Sequence, residues 1–167
     1  MMKKIKAFLS LNWATKRLLV EALFFLGFAR TLKSVPFKKV APSLGEHMIE
    51  TSFSCVDGNV AMLKSISKSI NIMSRYTLWE SQCLVKAIAA MKMLERRNIE
   101  STLYLGTGKD DDGKFAAHAW LRSGPYYITG ADVMERFIVV GIFGKKLSNA
   151  KIVRKNESTK ATDKRLN

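Results

Sequence analysis

The sequence predicts an α+β fold in which N-terminal helices precede an antiparallel sheet. Three observations predict it. Apolar residues recur at helical spacing up to Asn98, and after Asn98 the period drops to two. The alternating segments are short and are separated by the turn signals "KDDDG" and "RSGP". Strands do not alternate with helices, so a doubly wound parallel sheet is excluded.

Residues 5–30 are rich in Leu and Phe and read as one or two amphipathic helices. The usual fate of such a face is to pack on the core. Lys3, Lys4, Lys6, Lys16 and Arg17 suit the alternative, docking on a membrane surface or a partner. Pro36 and Pro42 mark a loop. A second helix runs from about Asn59 to Tyr76, with Val60, Leu63, Ile66, Ile70 and Met73 as its stripe, and "DG" at Asp57–Gly58 precedes it. A third helix runs from about Gln82 to Arg97. Ser81 is its N-cap, Leu84, Ala87, Ile88 and Met91 form its stripe, and Asn98 is its C-terminal stop. "STLYLGTG" and "KFAAHAWL" then alternate as strands, "YYITGADV" supplies a third strand, and "ERFIVVGIF" reads as a further strand or a buried helix end. The segment "KNESTKATDKRLN" reads as a frayed tail. The expected organisation is an N-terminal helical segment (1–42), a core (43–145) and a basic tail (146–167).

A chain of 167 residues with 47% hydrophobic content is long enough to bury a real core. Its formal net charge of +14 calls for an acidic partner: nucleic acid, an anionic membrane surface, or an acidic peptide or protein. Nucleic acid has only charge in its favour, because no RNP-like, zinc-finger or phosphate-loop signature is present. No CxxC or HxxxH pair exists, so a structural metal is not expected. The triple acid Asp110, Asp111 and Asp112 lacks the oxygen-ligand spacing of a calcium loop and reads as a hairpin tip. The basic start lacks a clean signal-peptide pattern, so the expected compartment is cytoplasmic with reduced thiols.

The chemistry centres on "WESQCLVKAIAA" at residues 79–90. A cysteine on the first turn of a helix is either packing, since a free thiol behaves as a small hydrophobe, or a nucleophile, since a helix N-terminus stabilises an anion. His118 lies on a strand among Ala116, Ala117 and Ala119, which leave room beside its ring. His118 and Asp132 share parity about the turn near Gly124–Pro125, so an even register sum places both on one face, within hydrogen-bond reach. Cys83, His118 and Asp132 then form a nucleophile, a base and an orienting carboxylate suited to acyl transfer through a thioester. The Cys83 backbone N–H and the Gln82 side chain are the candidate oxyanion donors. Trp79 and Trp120 are core residues or cleft walls. Cys55, with His47 nearby, is the rival nucleophile, but it lies several residues ahead of its helix.

The stretch "QCLVKAIAAMKMLERRNIESTLYLGTG", followed by "FAAHAWL" and "GADV", resembles the leader peptidases of lasso-peptide biosynthesis. The resemblance covers about residues 75–145. It implies a papain- and transglutaminase-like cysteine-peptidase core with Cys83, His118 and Asp132 as the catalytic residues, and no cofactor. It also implies cleavage of a leader from a ribosomally made precursor peptide, a separate leader-binding protein that presents the leader, and an ATP-dependent cyclase that closes the macrolactam afterwards. The region after Asp132 matches no family motif. Two readings compete with it: another transglutaminase-like acyltransferase with an amine acceptor, and a non-enzymatic basic adaptor on a membrane surface or protein partner.

Overall fold

The change of period after Asn98 becomes a change from helices to sheet. The computed structural model describes residues 10–54, 59–79, 81–110 and 112–146. Cys55, the Asp57–Gly58 turn, Asp111 and the tail beyond Lys146 lie outside the described residues. Among the described residues four helices come first: α1 (Trp13–Lys33), α2 (Phe37–Leu44), α3 (Val60–Met73) and α4 (Cys83–Glu95). The two-residue strand β1 (Glu46–His47) lies between α2 and α3. Strands β2 (Ser101–Lys109), β3 (Phe115–Ser123) and β4 (Tyr126–Thr129) follow, then a 3-10 helix (Ala131–Arg136) and β5 (Phe137–Lys145). The architecture is α+β, with N-terminal helices followed by a five-stranded antiparallel sheet.

The helix α4 is apolar on nearly every side, and such a helix must be enclosed. Val85, Ala87 through Met91, Met93 and Leu94 are all buried. The helices α1 and α3 and the sheet all pack against it. Asn98 ends it as expected. Asn98 takes φ 54°, its N–H donates to the Glu95 carbonyl (3.1 Å), and the Ile99 N–H donates to the Leu94 carbonyl (3.1 Å). These are the two bonds of a Schellman motif, and Leu94 and Ile99 are both buried beside it.

Three local expectations are corrected. Pro42 lies inside α2, which Pro36 precedes as N-cap. Pro42 removes one i→i−4 hydrogen bond and crowds the carbonyl of Lys38, and the burial of Val40 and Leu44 holds this eight-residue helix in spite of that. Gln82, rather than Ser81, is the N-cap of α4, and its side chain makes no capping bond. Ser81 instead donates to Thr77 Oγ1 (2.8 Å), whose one proton is shared between the carbonyls of Ser74 (3.1 Å) and Trp79 (3.0 Å). The strand expected over "YYITGADV" stops at Thr129, because Gly130 takes φ 74° and turns the chain into the 3-10 helix.

The sheet order is β1-β5-β2-β3-β4. Strands β2 to β4 form the expected meander, but β5 returns on the other side of β2 instead of extending the sheet past β4. Leu103, Ala119, Leu121 and Phe143 face the helices and join their core. Residues 48–54 cross the other face. There the Thr51 N–H donates to Thr102 Oγ1 (2.9 Å) and the Met48 N–H to the Ile142 carbonyl (2.8 Å). Arg122 is 1% exposed and holds this strap. It donates to the carbonyls of Thr51 (3.0 Å), Ser52 (3.2 Å) and Gly124 (2.8 Å), to Tyr104 Oη (2.9 Å) and to the Glu50 carboxylate (3.1 Å). Its guanidinium also lies 3.7 Å from the centre of the Phe53 ring. Burial raises the Tyr104 phenol above its ordinary range, against the opposing pull of Arg122. Among the described residues, no helix is long and apolar enough to cross a membrane.

Glu95 pairs with Lys92 of the same helix (3.0 Å) and joins the end of α4 to the sheet through Lys145 (3.0 Å), and both ammonium groups also donate to the Ser43 carbonyl at 3.3 Å. Burial by itself would raise the Glu95 carboxyl, but the hydrogen bonds and charges of Lys92 and Lys145 outweigh it and hold the group below its usual range. A depressed carboxylate stabilises the fold above its unfolded-state pKa and loses that contribution as pH falls through the folded value. Glu95→Gln is therefore expected to cost ~1 kcal/mol at most at neutral pH, and nothing well below the carboxylate range, in urea unfolding at the two pH values. Arg122→Ala should cost about 3 kcal/mol, because it strands several buried acceptors and one carboxylate at once. Thermal unfolding of the variant measures that loss.

Candidate functional site

Cys83 is the first residue of α4, which follows from Gln82 taking extended backbone (φ −73°, ψ −178°) immediately before it. The thiol is half-buried against the edge of the core and is free. At this position the Cys83 backbone N–H has no partner within its own helix. Gln82 is exposed beside it. The helix that carries Cys83 packs on β3 and β4.

His118 stands in β3 opposite Gly106 of β2. Alternation turns Ala119 and Leu121 to the helices, and His118, Trp120 and Arg122 to the opposite face. On that face four rings form a row. Tyr104 stacks on Trp120 at 5.6 Å, Trp120 on His118 at 5.9 Å, and His118 on Phe137 at 5.0 Å. Gly106 makes the row fit, because a Cβ there would meet the Trp120 ring at 2.8 Å and Phe137 Cβ at 2.9 Å.

His118 Nε2 lies 2.8 Å from the Gly130 carbonyl oxygen. A carbonyl only accepts, so Nε2 carries the proton, and in the neutral ring Nδ1 is left free to take one. Gly130 reaches this place because its positive φ ends β4 and because a side chain does not fit. A Cβ would lie 2.5 Å from the Ala119 carbonyl oxygen and 3.2 Å from His118 Nε2.

Asp132 does not take the place across a hairpin that its parity suggested. A bulge between Leu121 and Arg122 pairs Leu121 with Thr129, which has the even register sum, but the strand ends there. Asp132 lies in the first turn of the 3-10 helix, is exposed, and makes no hydrogen bond to His118. The contact to the histidine ring comes from the Gly130 backbone instead. No hydrogen bond joins Cys83 to His118. Sequence reasoning overlooked Gly130, Gly106 and Phe137. The signals were present in "GTG" inside a strand and in "TGAD" after one, where glycine marks close approach or a left-handed turn.

Trp120 is buried under His118 as the middle of the ring row. Trp79 packs against the core towards Gly27 of α1, whose Cβ position is 3.5 Å from its ring. Asp110 bonds to the hairpin backbone, its Oδ1 accepting from the N–H groups of Asp112 (3.0 Å) and Lys114 (2.8 Å), and the Asp112 carboxylate pairs with the Lys114 ammonium at 3.8 Å. Among the described residues, no cluster of three His, Cys, Asp or Glu side chains stands ready to hold a metal ion. His47 is on β1, tilted against Phe143 at 5.2 Å.

The model of the transglutaminase-like superfamily matches residues 31–141, which include α2 to α4 and the sheet through Gly141. No curated protein and no solved structure matches the chain.

Gly130→Ala is expected to cost about 2 kcal/mol through the left-handed backbone and the clash with β3. It should also release the His118 ring. Nitrogen-15 NMR of the histidine ring should show the Nε2–H tautomer in the parent and in Asp132→Asn, and a mixture of tautomers in Gly130→Ala.

Proposed function

The chain belongs to the transglutaminase-like superfamily, a group that includes cysteine peptidases and acyltransferases, and from that premise we propose that it is a cysteine peptidase that removes the leader from a ribosomally made lasso-peptide precursor. The single observation that carries the chemistry is a thiol at the first residue of a buried helix packed on the strand of a histidine whose Nε2–H is already held. In the proposed reaction substrate binding brings the His118 ring, which β3 turns to the face opposite α4, within reach of the thiol at the helix start; Cys83 then attacks the carbonyl of the leader–core peptide bond while His118 Nδ1 takes the thiol proton. His118 returns the proton to the departing amine of the core peptide, leaving a thioester to the leader. Water, deprotonated by His118, then releases the leader and the free thiol. The Cys83 N–H and the Gln82 amide stand as oxyanion donors. Asp132, two residues after Gly130 in the 3-10 helix, is the carboxylate of the proposed triad, while the Gly130 carbonyl fixes the tautomer.

The proposed setting is cytoplasmic. A separate leader-binding protein presents the precursor, and an ATP-dependent cyclase consumes the new amine of the core peptide. The likeness of "QCLVKAIAAMKMLERR" and "FAAHAWL" to the lasso-peptide leader peptidases supports the substrate class.

With precursor and leader-binding protein present, Cys83→Ala and His118→Ala should each lower the cleavage rate by a factor on the order of 1,000 or more. Cleavage by Cys83→Ala at the parent rate would sink the reading. Mass spectrometry of the leader product separates hydrolysis from transfer to an added amine, which is the outcome expected of an acyltransferase.

A further inference from the structure

The helix α1 carries two apolar stripes, and the fold uses only one. Leu19, Ala22, Leu26 and Ala29 are buried. Trp13, Val20 and Phe24 point the other way and are 74%, 58% and 65% exposed. They form one wall of an open groove of about 740 Å³, whose other wall is Met62 of α3 and the Arg96–Arg97 end of α4. Among the described residues the lining carries Lys16, Arg17, Arg96 and Arg97 against one carboxylate, Glu21. That carboxylate is already engaged, since Arg97 grips both its oxygens at 2.9 and 2.6 Å. Arg96 also pairs with Glu21, at 3.6 Å, but its side chain is 63% exposed at the rim and has donors left for a second carboxylate.

We propose that this groove binds an acidic, amphipathic helix of a partner polypeptide. Apolar residues at helical spacing would lie between Trp13 and Phe24, and carboxylates would face Arg17 and Arg96. Trp13 and Phe24 are eleven positions apart on α1, about 16 Å, which sets the partner segment at about three turns. The two-walled shape suits a rod rather than a flat bilayer. The chain's own first nine residues carry Lys3, Lys4 and Lys6 and no acidic residue, and a second copy brings another +14, so both have the wrong sign. The proposal stands apart from the chemistry at Cys83.

The test is fluorescence anisotropy with the full chain. The probe is a labelled 14-residue peptide of Leu at helical spacing with Glu elsewhere, and the control is a scrambled peptide of the same composition. The spaced peptide is expected to bind at least tenfold more tightly than the scrambled one. Arg17→Glu and Phe24→Ser, both at exposed positions, should each weaken it at least tenfold with the melting temperature unchanged. Equal binding of the two peptides, no binding up to millimolar concentration, or indifference to both substitutions overturns the proposal. Co-sedimentation with phosphatidylglycerol vesicles that depends on Arg17 and Phe24, without peptide binding, would also overturn it, in favour of a membrane surface.

Discussion

The structure depends on the burial of α4. Eight of its thirteen residues are buried on several sides of the helix, so it cannot lie on a surface. Each large aliphatic side chain it hides is worth about 1.5–3 kcal/mol relative to exposure, and the run of alanines between them lets neighbouring elements come close. The layers on either side follow from this: α1 and α3 on one side, the sheet on the other. The position of Cys83 follows as well. It is the first helical residue and the point where the helix leaves the core, so the half-burial of its thiol is set by the packing of residues such as Val85 and Ile88.

The sheet is enclosed a second time, by different physics. Its helix-facing side is dry and apolar. Its other side is covered by the 48–54 strap over the end that carries Thr102, Arg122 and Gly144, and that cover is polar. Arg122 spends most of its donors on strap and turn carbonyls, which fixes a segment that has little regular structure of its own. A buried guanidinium is tolerated because nearly every donor is paired. The same face carries the row from Tyr104 to Phe137, so the setting of the His118 ring is continuous with the strap's anchor through Tyr104.

Element type was legible in the sequence where it depended on period and on local side chains. The break at Asn98, the start of a helix around Cys83 and the alternation through His118 all appear as patterns within a dozen residues. What was not legible depended on distant partners or on backbone atoms. The return of β5 beside β2 is a long-range choice that no local pattern encodes. Pro42 reads as a breaker until the burial of Val40 and Leu44 is known. The contact to His118 is made by a carbonyl, and a carbonyl belongs to every residue, so sequence reasoning looked for a carboxylate and found Asp132. Only the glycine, required by its dihedral angle and by its closeness to Ala119, left a trace.

A carbonyl and a carboxylate do different things to a histidine. Both select the protonated nitrogen, but only the carboxylate adds a full charge, and only the carboxylate can lose it by titration. Holding Nε2 by Gly130 makes ring orientation a property of the β4 end and the 3-10 turn, and it frees Asp132 from that task. The groove and the thiol then lie at opposite ends of one rigid element. Arg96 and Arg97 close α4, and Cys83 opens it, about 20 Å away by the rise of a thirteen-residue helix. A polypeptide held at the groove needs about six extended residues to reach the thiol. That distance is set by the core packing of α4, so any partner seated at the groove would measure its substrate against the length of this helix.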